Sequence, residues 1–364
     1  MTSPQDYRQT PPEPDHRGGG LSRRSLLGMA AIGTTIAAVG IGGTRLWTGS
    51  SEIPDWTYKD IPPQNGRRVL VTGANGYPEE DRSGLGYHIA LGLARAGADV
   101  IIASRNQTRG EEAIRRIGAE SPAGRVRFET LDLADLKSVK DFTARMQASG
   151  NGLDLLVNNA GTMGTLERQE SIDGFERVFA TNAIGPFALT AGLLPLLRNG
   201  NAPRIVWMCS GRSAFGALDL DDLQQENAYE YASAYNDSKQ AHLIAALECE
   251  RRSRAHGWGV VSIAAHPGVA RTSLILDGPG LDSAEGWRRR NMPFMFQDAA
   301  QGALPALYAA VSSQAAGGAY YGPKGLMGIR GLPGVSQVPD NSRDPQLATT
   351  VWETLEQLGT VSLR

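Results

Sequence analysis

Cysteine is almost missing from this chain. The two among 364 residues, Cys209 in a predicted strand and Cys249 in a predicted helix, exclude a disulfide framework and read as buried free thiols. An excess of charge of one sign is missing too. A formal net charge of −2 provides no basic field for nucleic acid, and no such partner is expected. No metal site is read from the sequence. Long hydrophobic runs are absent apart from the uncharged stretch 25–44. What remains is 41% hydrophobic and 20% charged, enough apolar residue to bury a large core in a single domain of some 300 residues or in two smaller ones.

The ends are unlike the middle. Residues 1–20 are rich in Pro, Gly and charge and are expected to form a disordered polar tail. Residues 21–47 read as a signal or membrane anchor, outside any fold reasoning. Within them Ser22-Arg23-Arg24-Ser25-Leu26-Leu27 resembles the twin-arginine export motif, and the run behind it is just long enough to span a bilayer. Arg8, Arg17, Arg23 and Arg24 precede the run, and only Arg45 and Lys59 follow closely, which orients the domain outward. No clear A-x-A cleavage site follows. A domain tethered to the outer face of a bacterial cytoplasmic membrane is therefore expected, with a tether on the cytoplasmic face as the alternative. Residues 48–66, with Pro54, Pro62 and Pro63, read as a linker.

From residue 67 to 364 the pattern is that of one domain. The β-branched run from Arg68 to Thr72 ends at Gly73, and SGLGYHIALGLARAG is a helical pattern closed by Gly97. The alternation continues: strand 99–103, helix 107–118, strand 126–130, helix 136–149, strand 153–157, helix 175–197, strand 204–209, a helix around Tyr235, strand 260–265, helix 299–311 and a last strand near Tyr320. Apolar strands alternating with helices predict an α/β fold, a parallel sheet of about seven strands with helices on both faces. The first turn supplies Thr72, Gly73, Asn75, Ser83, Gly84, Leu85 and Gly86, glycines of the kind that admit a pyrophosphate to a helix N-terminus. Its halves, TGAN and SGLG, are separated by GYPEEDR (76–82), which brings Glu79, Glu80 and Asp81 close to where phosphates would sit.

Tyr235 and Lys239 lie four residues apart in a helical segment, hence on one face and roughly 6 Å apart along the axis. A cation beside a phenol favours the phenolate and moves it toward the range of a general acid or base. Alone, the pair also reads as solvated surface.

The chain from about residue 67 resembles the short-chain dehydrogenase/reductase superfamily, and within it the retinol-dehydrogenase-like branch and its bacterial relatives. The residues that carry this are the split TGAN…SGLG, ASRN (103–106), LDLADLKSV (131–139), NNAG (158–161), TNAIGPF (181–187), RIVWMCS (204–210), Tyr235 with Lys239, HPGVART (266–272) and YYGPKG (320–325). The resemblance implies a Rossmann-type doubly wound sheet and hydride transfer between a nicotinamide cofactor and a carbonyl or alcohol. Ser210, Tyr235, Lys239 and Asn182 fill the catalytic places. Tyr235 passes a proton, Ser210 holds the substrate oxygen, and Lys239 favours the phenolate and binds the ribose. Pro186 lies four residues after Asn182 in a helix, so the Asn182 carbonyl loses its helical partner and is expected to stay open for a water that the family uses.

For the cofactor, the second strand ends in Ser104 and Arg105 rather than an acid, so NADP is expected over NAD. Asp132 with Leu133 matches the adenine position, although Asp132 also reads as a helix N-cap. Asn158, Ala160 and Gly161 match the ribose and nicotinamide position, and Pro267, Gly268 and Thr272 belong to the cofactor set. Trp287, Met292, Phe294, Met295 and Phe296 fall in the family's substrate flap, as pocket lining or as ordinary core. A lipophilic substrate is the expectation. Homodimer and homotetramer stay open, as does a non-catalytic dinucleotide-binding sensor or scaffold on the same fold.

Overall fold

The computed structural model describes residues 53–79, 83–121 and 123–363. The tail, the segment 21–47, the linker up to residue 52, and Glu80, Asp81 and Arg82 of the insert lie outside the described residues.

The strands are β1 (Arg68–Thr72), β2 (Asp99–Ser104), β3 (Arg125–Thr130), β4 (Leu155–Asn158), β5 (Arg204–Met208), β6 (Val261–Ala265), β7 (Tyr320–Gly325) and β8 (Arg330–Val335). The main helices are α1 (Leu85–Arg95), α2 (Gln107–Glu120), α3 (Leu136–Ala148), α4 (Arg177–Arg198), α5 (Tyr231–His256), α6 (Ala284–Asn291), α7 (Leu304–Val311) and α8 (Pro345–Leu358). They form one eight-stranded sheet in the order β8-β7-β6-β5-β4-β1-β2-β3. All pairings are parallel except β7 with β8. The chain starts at the centre, winds out to β3, returns to lay β4 beside β1, and winds out the other way. That reversal opens a crevice at the carboxyl ends of β1 and β4, where doubly wound sheets bind ligands.

Both faces of the sheet are covered, and the period-2 geometry of a strand feeds both. In β1, Leu70 joins the layer with α3, α4, α5 and α8, built around Phe142, Phe187, Trp207 and Trp352. Val69 and Val71 join the opposite layer with α1, α2 and α7, around Ile89, Leu93, Leu307 and Tyr308. This is why the central strands read as continuous apolar runs. Among the described residues one helix, Arg177–Arg198, is long and apolar enough to cross a membrane, but 78% of its apolar window is buried in the domain, so it is a core helix.

Eight strands stand where about seven were expected. The addition is β8, an edge strand antiparallel to β7, with Pro333 opposite Pro323. Proline cannot donate to a ladder and is tolerated at an edge, which is where Pro333 lies, so the segment carries no strand signal in sequence. Most boundaries move by a residue or two, and two of these shifts bear on the site. β4 runs to Asn158 rather than ending at Val157, and the helix predicted over 175–197 begins at Arg177, with Glu176 as its N-cap accepting from Val178 and Phe179.

Candidate active site

The crevice is a cavity of about 720 Å³ running from the end of β2 across β1 and β4 to the segment after β6. Most of the residues read from the sequence line it: Gly73, Asn75, Gly84, Leu85, Ser104, Arg105, Asp132, Leu133, Ala160, Gly161, Ser210, Tyr235, Lys239, Pro267, Gly268 and Thr272.

The glycine turn closes as one structure despite the insert, because Gly84 N–H donates to Gly76 C=O at 2.5 Å. Gly73 has φ +67, and a Cβ there would lie 2.8 Å from the Ala160 backbone; a Cβ at Gly86 would lie 2.4 Å from Asn159 Nδ2. Gly86 therefore packs the turn against β4 rather than facing the cavity. Thr72 and Ser83 also support from behind. The Thr72 hydroxyl accepts from the N–H groups of Asn159 and Ala160, and Ser83 Oγ lies 2.7 Å from His88 Nε2. Of the described insert residues, Gly76 lines the cavity, Tyr77 is buried under the guanidinium groups of Arg109 and Arg116, 4.7 and 4.2 Å from its ring centre, and Glu79 is exposed away from the cavity wall.

Two placements differ from expectation. Asn158 is wholly buried and its amide donates to Thr190, so Asn159, not Asn158, reaches the wall. A strand that continues one residue further turns Asn158 inward. Asp132 does not cap α3; Asp135 does, accepting from Ser138 N–H, while Asp132 accepts from Ala134 N–H and stays on the wall.

At the adenosine end of such a crevice, Ser104 Oγ is buried without a hydrogen-bond partner. Arg105 is exposed, and Arg109, one helical turn on, lines the same wall. Orphaned hydroxyl, two guanidinium groups and a cradle that a Cβ would fill suit an anionic dinucleotide.

The other end holds Ser210, Tyr235 and Lys239, the residues expected to react. Ser210 follows β5, its carbonyl held by the Tyr320 hydroxyl at 2.9 Å. Tyr235 is buried with its phenol in hydrogen-bonding reach of Ser210; burial raises its pKa, opposed by Ser210 and by the charge of Arg212. Lys239 is buried too, and its ammonium donates to Met208 C=O at 2.9 Å. Burial pulls Lys239 down to about 8. The nearby cation named for the phenol is thus Arg212, where helical spacing alone suggested Lys239, which instead leans to β5. Asn182 lies behind the wall, its Oδ1 accepting from Thr162 N–H and its Nδ2 donating to Thr162 C=O and Ser238 Oγ. The helix does break there, as a π-turn over Ala180–Ile184. His242 is buried close to the Asn182 backbone, and both of its ring nitrogens lack a hydrogen-bond partner.

Of the flap residues, Met295 and Phe296 line the cavity, whereas Trp287 and Phe294 are 54% and 60% exposed. With Met163, Val178, Leu274 and Ile275 they make one end apolar. Arg109, Arg212 and Glu285 were not singled out in sequence. Arg109, four residues after Arg105, was findable by helical spacing; Glu285, distant in sequence from every motif, was not.

Residues 67–275 match the family model for short chain dehydrogenase. A polyprenol dehydrogenase of Mus musculus is 40% identical over 71% of this chain and 75% of its own length. Retinol dehydrogenase 13 of Homo sapiens is 36% identical over 69% of this chain and 71% of its own. An uncharacterized protein of Mycobacterium Paratuberculosis with a solved structure is 34% identical, with a TM-score of 0.69 over 85% of this chain and 100% of that one. With the doubly wound sheet and the crevice where the family motifs meet, these similarities identify the chain as a short-chain dehydrogenase/reductase, of the branch that contains the retinol dehydrogenases.

Proposed function

We propose that the protein is an NADP(H)-dependent oxidoreductase that interconverts a carbonyl and an alcohol on a lipophilic substrate, with Tyr235 as general acid/base. One observation carries this reading: Ser210, Tyr235 and the buried Lys239 meet on one cavity wall. The nicotinamide, when bound, supplies or accepts the hydride. In reduction the Tyr235 phenol gives its proton to the substrate oxygen and the Ser210 hydroxyl donates a hydrogen bond to the same oxygen as charge develops there. Lys239 would hold the ribose hydroxyls, and the charge of Arg212 favours the phenolate that remains. Such intact chemistry favours an enzyme over a sensor.

The apolar end of the cavity and the names of the relatives, polyprenol and retinol dehydrogenases, point to an isoprenoid-type alcohol or aldehyde. NADPH oxidation with retinal, farnesal and decanal, against glyceraldehyde, tests it: kcat/KM should favour the lipophilic aldehydes by at least about tenfold. A polar winner overturns the substrate class, and no turnover with any of the four overturns the reading as an enzyme of this type.

NADP preference rests on Ser104, Arg105 and Arg109. Arg105→Ala is expected to lower the NADP/NAD ratio of kcat/KM by about ten- to a hundredfold, and Arg109→Ala by a smaller factor. An unchanged ratio in both variants would move the phosphate partner elsewhere, with Arg82 in the insert next in line.

The segment 21–47 is taken to tether the domain to a membrane, exported by its twin-arginine-like motif. Protease added to intact spheroplasts is expected to digest the wild-type domain and spare it once Arg23 and Arg24 are changed to Lys. A wild-type domain that stays protected places it on the cytoplasmic face instead.

A further inference from the structure

The cavity wall contains a polar cluster that the hydride-transfer chemistry does not use. Arg212 sits in the turn Gly211–Phe215, two residues after Ser210. Its Nε donates to Asn236 Oδ1 at 2.8 Å, the residue next to Tyr235, and its NH1 pairs with Glu285 Oε1 at 3.2 Å. Glu285 belongs to α6, the helix of the flap segment, and it is 8% exposed. Its carboxylate also accepts from the Tyr231 hydroxyl, at the start of α5, and from Arg288 NH1 at 3.2 Å. Arg212, Glu285 and Arg288 all line the cavity.

Three elements of the cavity wall are therefore joined through one carboxylate and one guanidinium: the turn after β5, the first turns of α5, and α6. A buried carboxylate is expensive to hold without partners, and Glu285 has three. Helix α6 has only eight residues, with Glu285, Gly286 and Arg289 buried, so little apolar packing fixes it. The ion pair is what ties it to the catalytic turn.

We propose that Arg212 is a positioning residue for Tyr235 and that its pairing with Glu285 is a latch, setting the charge felt by the phenol according to whether α6 is closed over the cavity. With the latch made, the guanidinium is compensated by the carboxylate and the phenol keeps its proton, as a general acid needs. With Glu285 withdrawn, the uncompensated cation favours the phenolate. The other groups around Tyr235 do not change with α6. Ser210 and Cys209 come from the end of β5 and Tyr320 from β7, and Lys239, one turn on in the same helix as Tyr235, is held by Met208 C=O. Met163, Val178, Leu274 and Ile275, which pack on the same ring, carry no charge.

This rests on Tyr235 being the general acid/base, and the experiment separates the two. The full chain is assayed with NADP and decanol for the pH dependence of kcat in oxidation, where the phenolate is the active form. The same phenol is read without turnover by ultraviolet difference titration of the NADP complex, with Tyr235→Phe as the blank. Arg212→Met removes a cation, so the apparent pKa should rise by about half to one unit and the profile should move to higher pH. Glu285→Gln keeps the shape and the Tyr231 contact but removes the compensating anion, so the profile should move to lower pH by a similar amount. Opposite signs support the latch, since a merely structural role lowers kcat without moving either profile. Shifts of the same sign, or none in either readout, overturn it. An active Tyr235→Phe would instead sink the reading on which it stands.

Discussion

Tyr235→Phe is expected to lower kcat by about a thousandfold and to leave the NADPH Kd within about twofold, because one proton donor is lost and the ring remains. The ring is part of a small cluster with Met163 and Val178, against Leu274 and Ile275, and phenylalanine keeps each of those contacts. Ser210 still presents a hydroxyl, so the substrate oxygen keeps a donor but not an acid. Thermal stability should shift by no more than about 1 kcal/mol, the net worth of one exchanged hydrogen bond. Equilibrium binding of NADPH by fluorescence and single-turnover kinetics read the two quantities separately. If affinity falls in step with the rate, Tyr235 is a ligand-binding group and not the acid. If the rate survives within tenfold, the proton comes from elsewhere on the wall.

The order of the strands and the layout of the crevice were legible because each strand–helix unit carries its own local signal. Val69, Leu70 and Val71 announce a buried strand and Gly97 ends a helix, whereas the return from β3 to β4 was implied by the family resemblance and not by the alternation itself. The placing of Tyr235 and Lys239 on one cavity wall was legible for a different reason: they share a helix, so their spacing is fixed by 1.5 Å per residue. What the spacing could not fix is where a long side chain ends. Lys239 reaches the Met208 carbonyl and the charge of Arg212 acts on the phenol, and both depend on packing between elements. Strand β8 escaped because Gly and Pro at an edge erase the alternation, and Asn158 because one extra residue of strand inverts which of two adjacent asparagines points outward.

Lys239→Met is expected to abolish turnover, by at least about a thousandfold, and at the same time to make the protein more stable at neutral pH. The two effects share a cause. Lys239 is buried, with Met208 C=O as its hydrogen-bond acceptor, and burial pulls its pKa from 10.5 to about 8. A lysine whose folded pKa lies below its unfolded value binds protons more readily when the chain is unfolded. Below about pH 8 both states are protonated and the folded state bears the full desolvation penalty; between about 8 and 10.5 the folded lysine is neutral and the penalty fades. The displacement corresponds to about 3 kcal/mol at pH 7 as an upper figure, of which loss of the bond to Met208 returns about 1. Methionine fills the same volume without a charge, so in the absence of nucleotide the variant should melt a few degrees higher at pH 7. That gap should shrink steadily as the pH is raised past 8. With NADPH added the order should reverse, because the wild-type chain gains ligand stabilisation that the variant, lacking the group that holds the ribose, cannot match. Melting curves at a series of pH values, with and without NADPH, test all three statements together. A variant that melts lower than the wild type at pH 7 without nucleotide would mean that the ammonium is satisfied within the fold, and that Lys239 stabilises the domain it was argued to strain.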